Sequence, residues 1–154
     1  MTDAEIIEEV RKYKARQIVL TGGEPSLFID SEFLKSLKEA SGLEIAIETN
    51  GTNPLPEGID WVTVSPKEGI DDVAGDARIK VLYANEIKVV DVGQNLEPYF
   101  SLPCKGEQTE MLLQPCFVED EAQCTANMRN TIRRVLEDPR WRLSLQTHRF
   151  AGIR

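Results

Sequence analysis

Gln17-Ile18-Val19-Leu20-Thr21-Gly22-Gly23-Glu24-Pro25 is the stretch on which the reading of the fold turns. A short apolar run bounded by glycine and proline reads as a buried strand leading into a loop. Two glycines at the strand end let the backbone approach a ligand and present its N–H and C=O groups. Glu24 can accept from an ammonium group there, and Pro25 fixes the turn. The same residues also describe a tight strand-to-helix turn with a solvated Glu24. The surrounding sequence separates the two.

Upstream, Thr2-Asp3-Ala4-Glu5 has the capping-box form, and Ile6, Ile7, Val10 and Tyr13 recur at helical spacing, so an amphipathic helix precedes the strand. Downstream, Asp30 or Ser31 caps a second helix whose face carries Phe33, Leu34, Leu37 and Ala40 before Gly42 stops it. Leu43-Glu44-Ile45-Ala46-Ile47-Glu48 is a strand ending in the polar tip Thr49-Asn50-Gly51-Thr52. Trp61-Val62-Thr63-Val64 is another, ending in Ser65-Pro66-Lys67. Residues 84–90 and 110–114 are further strand candidates, the second running into Gln114-Pro115-Cys116-Phe117. Residues 121–137 make the last helix, with Met128, Ile132, Val135 and Leu136 on one face, and 141–145 a final strand. Irregular loops are expected at 53–57, with Pro54 and Pro56, and at 93–106. Helices alternating with buried strands predict an α/β fold with a mostly parallel sheet covered on both faces. Ligands of such sheets bind at the strand C-termini, so the polar tips should gather on one rim.

The 154 residues, 41% hydrophobic and 29% charged, fit a single domain over 1–154 with its own core. Twenty-six acidic against eighteen basic residues give a net charge of -8, which disfavours nucleic-acid backbones and anionic membrane surfaces as partners. No apolar run approaches the roughly twenty residues that span a bilayer, and the acidic start is unlike a secretory signal, so a cytoplasmic protein is expected. Cys104, Cys116 and Cys124 match neither a disulfide framework nor a C-x-x-C metal site and read as reduced thiols. His148, the single histidine, reads as a hydrogen-bonded structural residue. Asp71, Asp72 and Asp76 lack the pattern of a calcium loop and read as a solvated one. Arg133, Arg134, Arg140, Arg142 and Arg149 make the C-terminal end basic, either to face an anionic substrate or to balance the acidic remainder. Trp61 and Trp141 read as core or rim packing.

Four segments carry a resemblance when taken together and in order: Thr21-Gly22-Gly23-Glu24-Pro25, Glu48-Thr49-Asn50-Gly51-Thr52, Val64-Ser65-Pro66-Lys67 and Trp141-Arg142-Leu143-Ser144-Leu145-Gln146-Thr147-His148. They resemble the radical SAM enzymes and, within these, the 7-carboxy-7-deazaguanine synthases, from about Gln17 to the C-terminus. The G-G-E-P turn alone marks only a site for S-adenosyl-L-methionine (SAM); the other three segments narrow the family. The resemblance implies a partial (β/α) barrel with its first strand missing. It places Gly22, Gly23 and Glu24 on the amino group of SAM, and both Ser65-Pro66-Lys67 and Gln114-Pro115-Cys116-Phe117 on the adenosine side. It places Thr21 against the purine-like substrate and Arg154, with its terminal carboxylate, near the same pocket. It further implies a homodimer that uses an iron-sulfur cluster and magnesium. The reaction implied is a carbon-nitrogen lyase step of queuosine-type biosynthesis, in which 6-carboxy-5,6,7,8-tetrahydropterin becomes 7-carboxy-7-deazaguanine.

One departure stands out. The family's cluster loop, C-x-x-x-C-x-x-C, is absent, and Cys104, Cys116 and Cys124 all follow the SAM motifs. Thiolates are what hold such a cluster and leave an iron open to the cofactor. The expectation is therefore the C-terminal part of a longer enzyme, inactive alone, with no catalytic residue or metal ligand of its own. The family's magnesium-binding threonine belongs to the same missing loop. A barrel short of a strand also bares a sheet edge that pairs readily with another chain. A glycyl-radical activase and a cluster-free binding module on the same scaffold are the alternative readings.

Overall fold

The computed structural model describes residues 1–67 and 78–152 and, for Phe150, the backbone alone. Helix α1 (Asp3–Val10) starts as its capping box dictates: Thr2 Oγ1 accepts from the Glu5 N–H at 3.3 Å, and the Glu5 carboxylate accepts from the Thr2 N–H at 2.6 Å. Strand β1 (Gln17–Leu20) follows, then a 3₁₀ turn (Pro25–Leu27) and helix α2 (Ser31–Ser41). Asp30 caps α2 by accepting from the Phe33 N–H at 2.8 Å, and Gly42 ends it in the left-handed region at φ 68°. The chain continues through β2 (Glu44–Thr49), β3 (Trp61–Val64), β4 (Ala84–Asp91), a 3₁₀ turn (Glu97–Ser101), β5 (Lys105–Pro115), α3 (Glu121–Glu137), β6 (Arg142–Leu143) and α4 (Thr147–Ala151).

The six strands form one sheet in the order β1-β2-β3-β4-β5-β6, every neighbouring pair parallel. Each strand lies beside its sequence neighbour, so the sheet winds in one direction as a barrel wall does, and it does not close. Because side chains alternate across a strand, one face takes Ile45 and Ile47 of β2, Val62 and Val64 of β3, Ile87 and Val89 of β4, and Met111 and Leu113 of β5, all buried. Phe33, Leu34 and Leu37 of α2 pack on the β2 end of that face. Trp141 fills the β5 end, 2% exposed, with Tyr99 and Phe100 edge-on at ring centroid distances of 6.4 and 5.2 Å.

The opposite face departs from the expectation of a sheet covered on both sides. It carries polar residues in rows: Glu48 stands opposite Thr63, Thr63 opposite Glu86, and Glu86 opposite Glu110. Lys88 and Arg142 follow one register step further. A wall that curls into a barrel keeps such a face for what binds inside it, and this explains why apolar residues alternate with charged ones in β4 and β5.

Element bounds differ from the sequence reading in two main places. Loop 93–106 contains the Glu97–Ser101 turn, and β5 already begins at Lys105, its early part displaced by a bulge between the Ala84 and Glu86 pairings. The final strand shrinks to Arg142–Leu143, and the following residues form α4, too short to carry a periodic signal. The connection from β2 to β3 carries no helix, in keeping with the irregular loop expected at 53–57; beside it the carbonyl of Gly51, at φ 83°, accepts from the Lys80 and Val81 N–H groups at 2.8 and 3.2 Å. A Cβ at Gly51 would sit 2.9 Å from Val64 Cγ1, so only glycine fits that crossing. Among the described residues, no helix is long and apolar enough to cross a membrane.

Asp91, at the end of β4, locks the sheet to α3. Its buried carboxylate accepts from Thr131 Oγ1 at 2.8 Å, from the Gly93 N–H at 3.0 Å and from Arg134, which also donates to the Gln94 carbonyl at 2.6 Å. Arg134, Arg140 and Arg142 are each paired with a carboxylate, so these members of the basic C-terminal cluster serve the fold. Removing the Asp91 carboxylate strands the half-buried Arg134 guanidinium and the buried Thr131 hydroxyl. Asp91→Ala should cost about 3–5 kcal/mol in urea unfolding; a loss below about 1 kcal/mol, the value of an exposed pair, would contradict the bracket.

Candidate functional site

The turn after β1 and the tip of β2 meet at the carboxylate of Glu24, and the tip of β3 joins them through the backbone. Glu24 Oε1 accepts from Ser26 N (3.1 Å), Ser26 Oγ (2.6 Å) and Thr49 Oγ1 (2.6 Å), and Oε2 accepts from Asn50 N at 2.8 Å. Thr49 Oγ1 accepts in turn from the Gly51 N–H at 3.1 Å, and the Thr49 carbonyl accepts from the Ser65 N–H at 2.7 Å. One side chain thus ties the Gly-Gly turn to the second strand tip, which carries the third. Burial would raise the Glu24 carboxyl; the hydrogen bonds from Ser26, Thr49 and Asn50 outweigh it and hold the pKa below the usual glutamate value. Oε2 has one protein donor and retains acceptor capacity for a ligand.

Above this clasp lies a cavity of about 160 Å³ lined by Thr21, Gly22, Gly23, Glu24, Glu48, Thr49, Asn50, Ser65 and Lys67. Six of the sequence-derived site residues are brought together here: Thr21, Gly22, Gly23, Glu24, Ser65 and Lys67. Pro66 is buried beside them, outside the lining. Gly22 has φ 122°, a conformation closed to other residues, and a Cβ added at Gly22 or Gly23 meets nothing within 4 Å. The two peptide units are therefore exposed and unobstructed, as a backbone cradle for a polar ligand requires.

The remaining described candidates line a second rim cavity. Gln114, Pro115, Cys116 and Phe117 enclose about 430 Å³ together with Cys124, Thr125, Met128 and Arg129 of α3 and Leu145, Gln146 and Arg149. Its wall is mostly apolar, and the Arg149 guanidinium lies 3.6 Å from the Phe117 ring centroid. The α3 contribution was open to discovery, since Cys124 and Met128 are four residues apart and share a helix face. Glu48, Thr49 and Asn50 were visible as a polar strand tip, but nothing in their spacing said that they share a cavity with the Gly-Gly turn. Arg154 and the acidic trio Asp71, Asp72 and Asp76 lie outside the described residues. His148, read as a hydrogen-bonded structural residue, is exposed on α4.

The donors needed for an iron-sulfur cluster do not come together. Cys104 is 1% exposed, and burial raises its thiol pKa, the reverse of what a thiolate ligand needs. Cys124 Sγ is engaged by the backbone of Val118, at 3.2 Å from the N–H and 2.9 Å from the carbonyl. Among the described residues, no group of three or more His, Cys, Asp or Glu side chains is arranged to hold a metal ion. The described residues therefore bring together donors for neither a cluster nor a magnesium ion, while the exposed Gly22-Gly23 cradle and the apolar second cavity fit a nucleoside joined to an amino acid.

A strand-tip ligand site on an open, singly wound parallel sheet defines a class, and comparison with known proteins agrees: the radical SAM superfamily profile matches residues 1–88. A 7-carboxy-7-deazaguanine synthase of Bacteroides thetaiotaomicron is 46% identical over 154 residues, all of this chain and 74% of its own length. One from Nitratidesulfovibrio vulgaris is 44% identical over 138 residues, 88% of this chain and 58% of its own. The crystal structure of QueE from Escherichia coli matches with a TM-score of 0.66 at 27% identity, over 95% of this chain and 64% of that one. The chain belongs to the 7-carboxy-7-deazaguanine synthase family of the radical SAM superfamily.

The Glu24 clasp carries a pH signature. Its folded pKa is depressed, so its stabilisation is complete above the ordinary value of 4.5 and is lost as pH falls through the folded pKa below that. Glu24→Gln, whose NH₂ group would face a backbone or hydroxyl donor, should lose about 1–3 kcal/mol at pH 7 in urea unfolding. The gap to wild type should narrow below pH 4.5. An unchanged stability at pH 7, or a deficit that ignores pH, would contradict the clasp.

Proposed function

We propose that this chain binds SAM and a pterin carboxylate as the SAM-motif part of a 7-carboxy-7-deazaguanine synthase. The reaction of that enzyme is the carbon-nitrogen lyase step that contracts 6-carboxy-5,6,7,8-tetrahydropterin to 7-carboxy-7-deazaguanine. The observation that carries the reading is the cavity uniting Thr21, Gly22, Gly23, Glu24, Ser65 and Lys67 at three adjacent strand tips. It is supported by 46% identity to the synthase of Bacteroides thetaiotaomicron along the whole chain.

In this reading the carbonyls of Gly22 and Gly23, with Glu24 Oε2, accept from the ammonium of the methionine part. Ser65 and Lys67 flank the middle of the molecule, and the adenine turns towards the apolar cavity of Gln114, Pro115, Cys116 and Phe117. Thr21, in the lining of the same cavity, takes the substrate in this reading by resemblance. Arg154 completes the substrate set by resemblance. Reductive cleavage of SAM is the chemistry a cluster supplies to this family; here the chain's own residues bind and orient the reactants. Magnesium, a homodimer and a cytoplasmic setting belong to the same reading of the whole enzyme. An activase acting on a partner protein is less well supported, since the relatives named above are all synthases of a small molecule.

Without the bond to a cluster, SAM should bind weakly and saturably. Calorimetry on the folded chain should give a Kd between about 10 µM and about 1 mM, roughly -7 to -4 kcal/mol. Absence of saturable heat from a chain with a cooperative unfolding transition would overturn the reading.

A further inference from the structure

Lys88 has no part in the reading above, yet its position is unusual for a lysine. Its side chain is only 18% exposed on the open face of the sheet. Its ion-pair partner is Glu48, with Lys88 Nζ 2.7 Å from Oε1. Glu48 is more open, with 43% of the side chain exposed, so the pair is not sealed from water and its interest lies in its position. The two residues belong to strands that are not neighbours: β3 lies between β4 and β2, and two strand spacings separate them by about 10 Å. Lys88 therefore reaches over β3 to hold a carboxylate on β2.

That carboxylate belongs to the wall of the Gly22-Gly23 cavity. Oε1 is engaged by Lys88, and among the described residues Oε2 has no protein donor. The sheet does not need the pair for its own sake, because β2–β3 and β3–β4 are already joined by backbone pairing. The pair at the far end of the same face, Arg142 with Glu110, has a carboxylate about as exposed as Glu48 but lines none of the cavities described above.

We infer that Lys88 is a positioning residue: it fixes Glu48 across the open face so that Oε2 points into the Gly22-Gly23 cavity as an acceptor for the sugar hydroxyls of a nucleoside ligand. The charge balance favours hydroxyls. An unpaired carboxylate is the natural partner of an ammonium, whereas one neutralised by Lys88 remains a good acceptor without drawing the cationic end of the ligand to the wrong side of the cavity. This rests on the SAM reading of the cavity and adds a residue and a contact to it.

The test is equilibrium dialysis of the whole chain against SAM and, separately, against free methionine, which has no sugar. Wild type is compared with Lys88→Met, Lys88→Gln, Lys88→Arg, Glu48→Gln and the double variant Lys88→Met with Glu48→Gln. Lys88→Met and Lys88→Gln should each weaken SAM about tenfold, as loss of a charge-assisted acceptor does. Lys88→Arg should stay within about threefold of wild type, and the double variant should bind no more weakly than Glu48→Gln alone. Methionine affinity should be the same in all. Wild-type SAM affinity in Lys88→Gln, additive losses in the double variant, or equal losses for SAM and methionine would overturn the inference; equal losses would mark a role in the fold alone. Failure of wild type to bind SAM at all would overturn the cavity reading itself, a different signature from SAM binding that ignores Lys88.

Discussion

The site depends on the Glu24 carboxylate. It gathers donors from the turn after β1 and from the tip of β2, and through Thr49 it is coupled to Ser65 at the tip of β3. Parallel strands have no hairpins to hold their ends together, so strand tips carrying glycine-rich turns would otherwise move independently. A half-buried acceptor with four hydrogen bonds joins two loops, and the Ser65–Thr49 backbone bond adds the third to the same surface. The consequence is that Gly22 and Gly23 can stay exposed and bare of side chains without being disordered by it, which is what a backbone cradle requires.

The rest of the architecture supplies contrast between two faces. The apolar face is closed by α2, by α3 with its Asp91 bracket, and by the Trp141 cluster. The open face is built of crossing polar pairs: Lys88 with Glu48, Thr63 with Glu86 at 2.8 Å, and Arg142 with Glu110 at 3.0 Å. A carboxylate row of this kind would repel itself if left unpaired, and the pairs spread the charge while keeping acceptors available.

Much of this was legible in the residues. Capping residues Thr2, Asp30 and Gly42, and the alternation of apolar and polar positions in β2 and β4, fixed elements to within a residue or two. The turn motif and the S-P-K tip located most of the first cavity, because a glycine pair and a strand end constrain the local backbone. What could not be read was anything that depends on contacts between strands that are not neighbours in the sheet. Lys88 and Glu48 are forty positions apart with no local signal joining them. The two-faced covering of the sheet was misjudged for a related reason: a parallel sheet that winds in one direction needs helices on one side only, and winding direction is a property of topology rather than of any segment. Short α4 and the bulged start of β5 escaped because neither is long enough to show a period.

In the proposed function one SAM molecule occupies both rim cavities at once, its amino-acid end on the Gly22-Gly23 cradle and its adenine in the slot beside Phe117. The most direct measurement is a titration of the ¹⁵N-labelled chain with SAM, followed by amide chemical shifts. The account predicts that Gly22, Gly23, Asn50 and Lys67 on one side, and Cys116 and Phe117 on the other, shift along a single saturation curve. Shifts confined to one cavity, or two groups saturating at different concentrations, would contradict it.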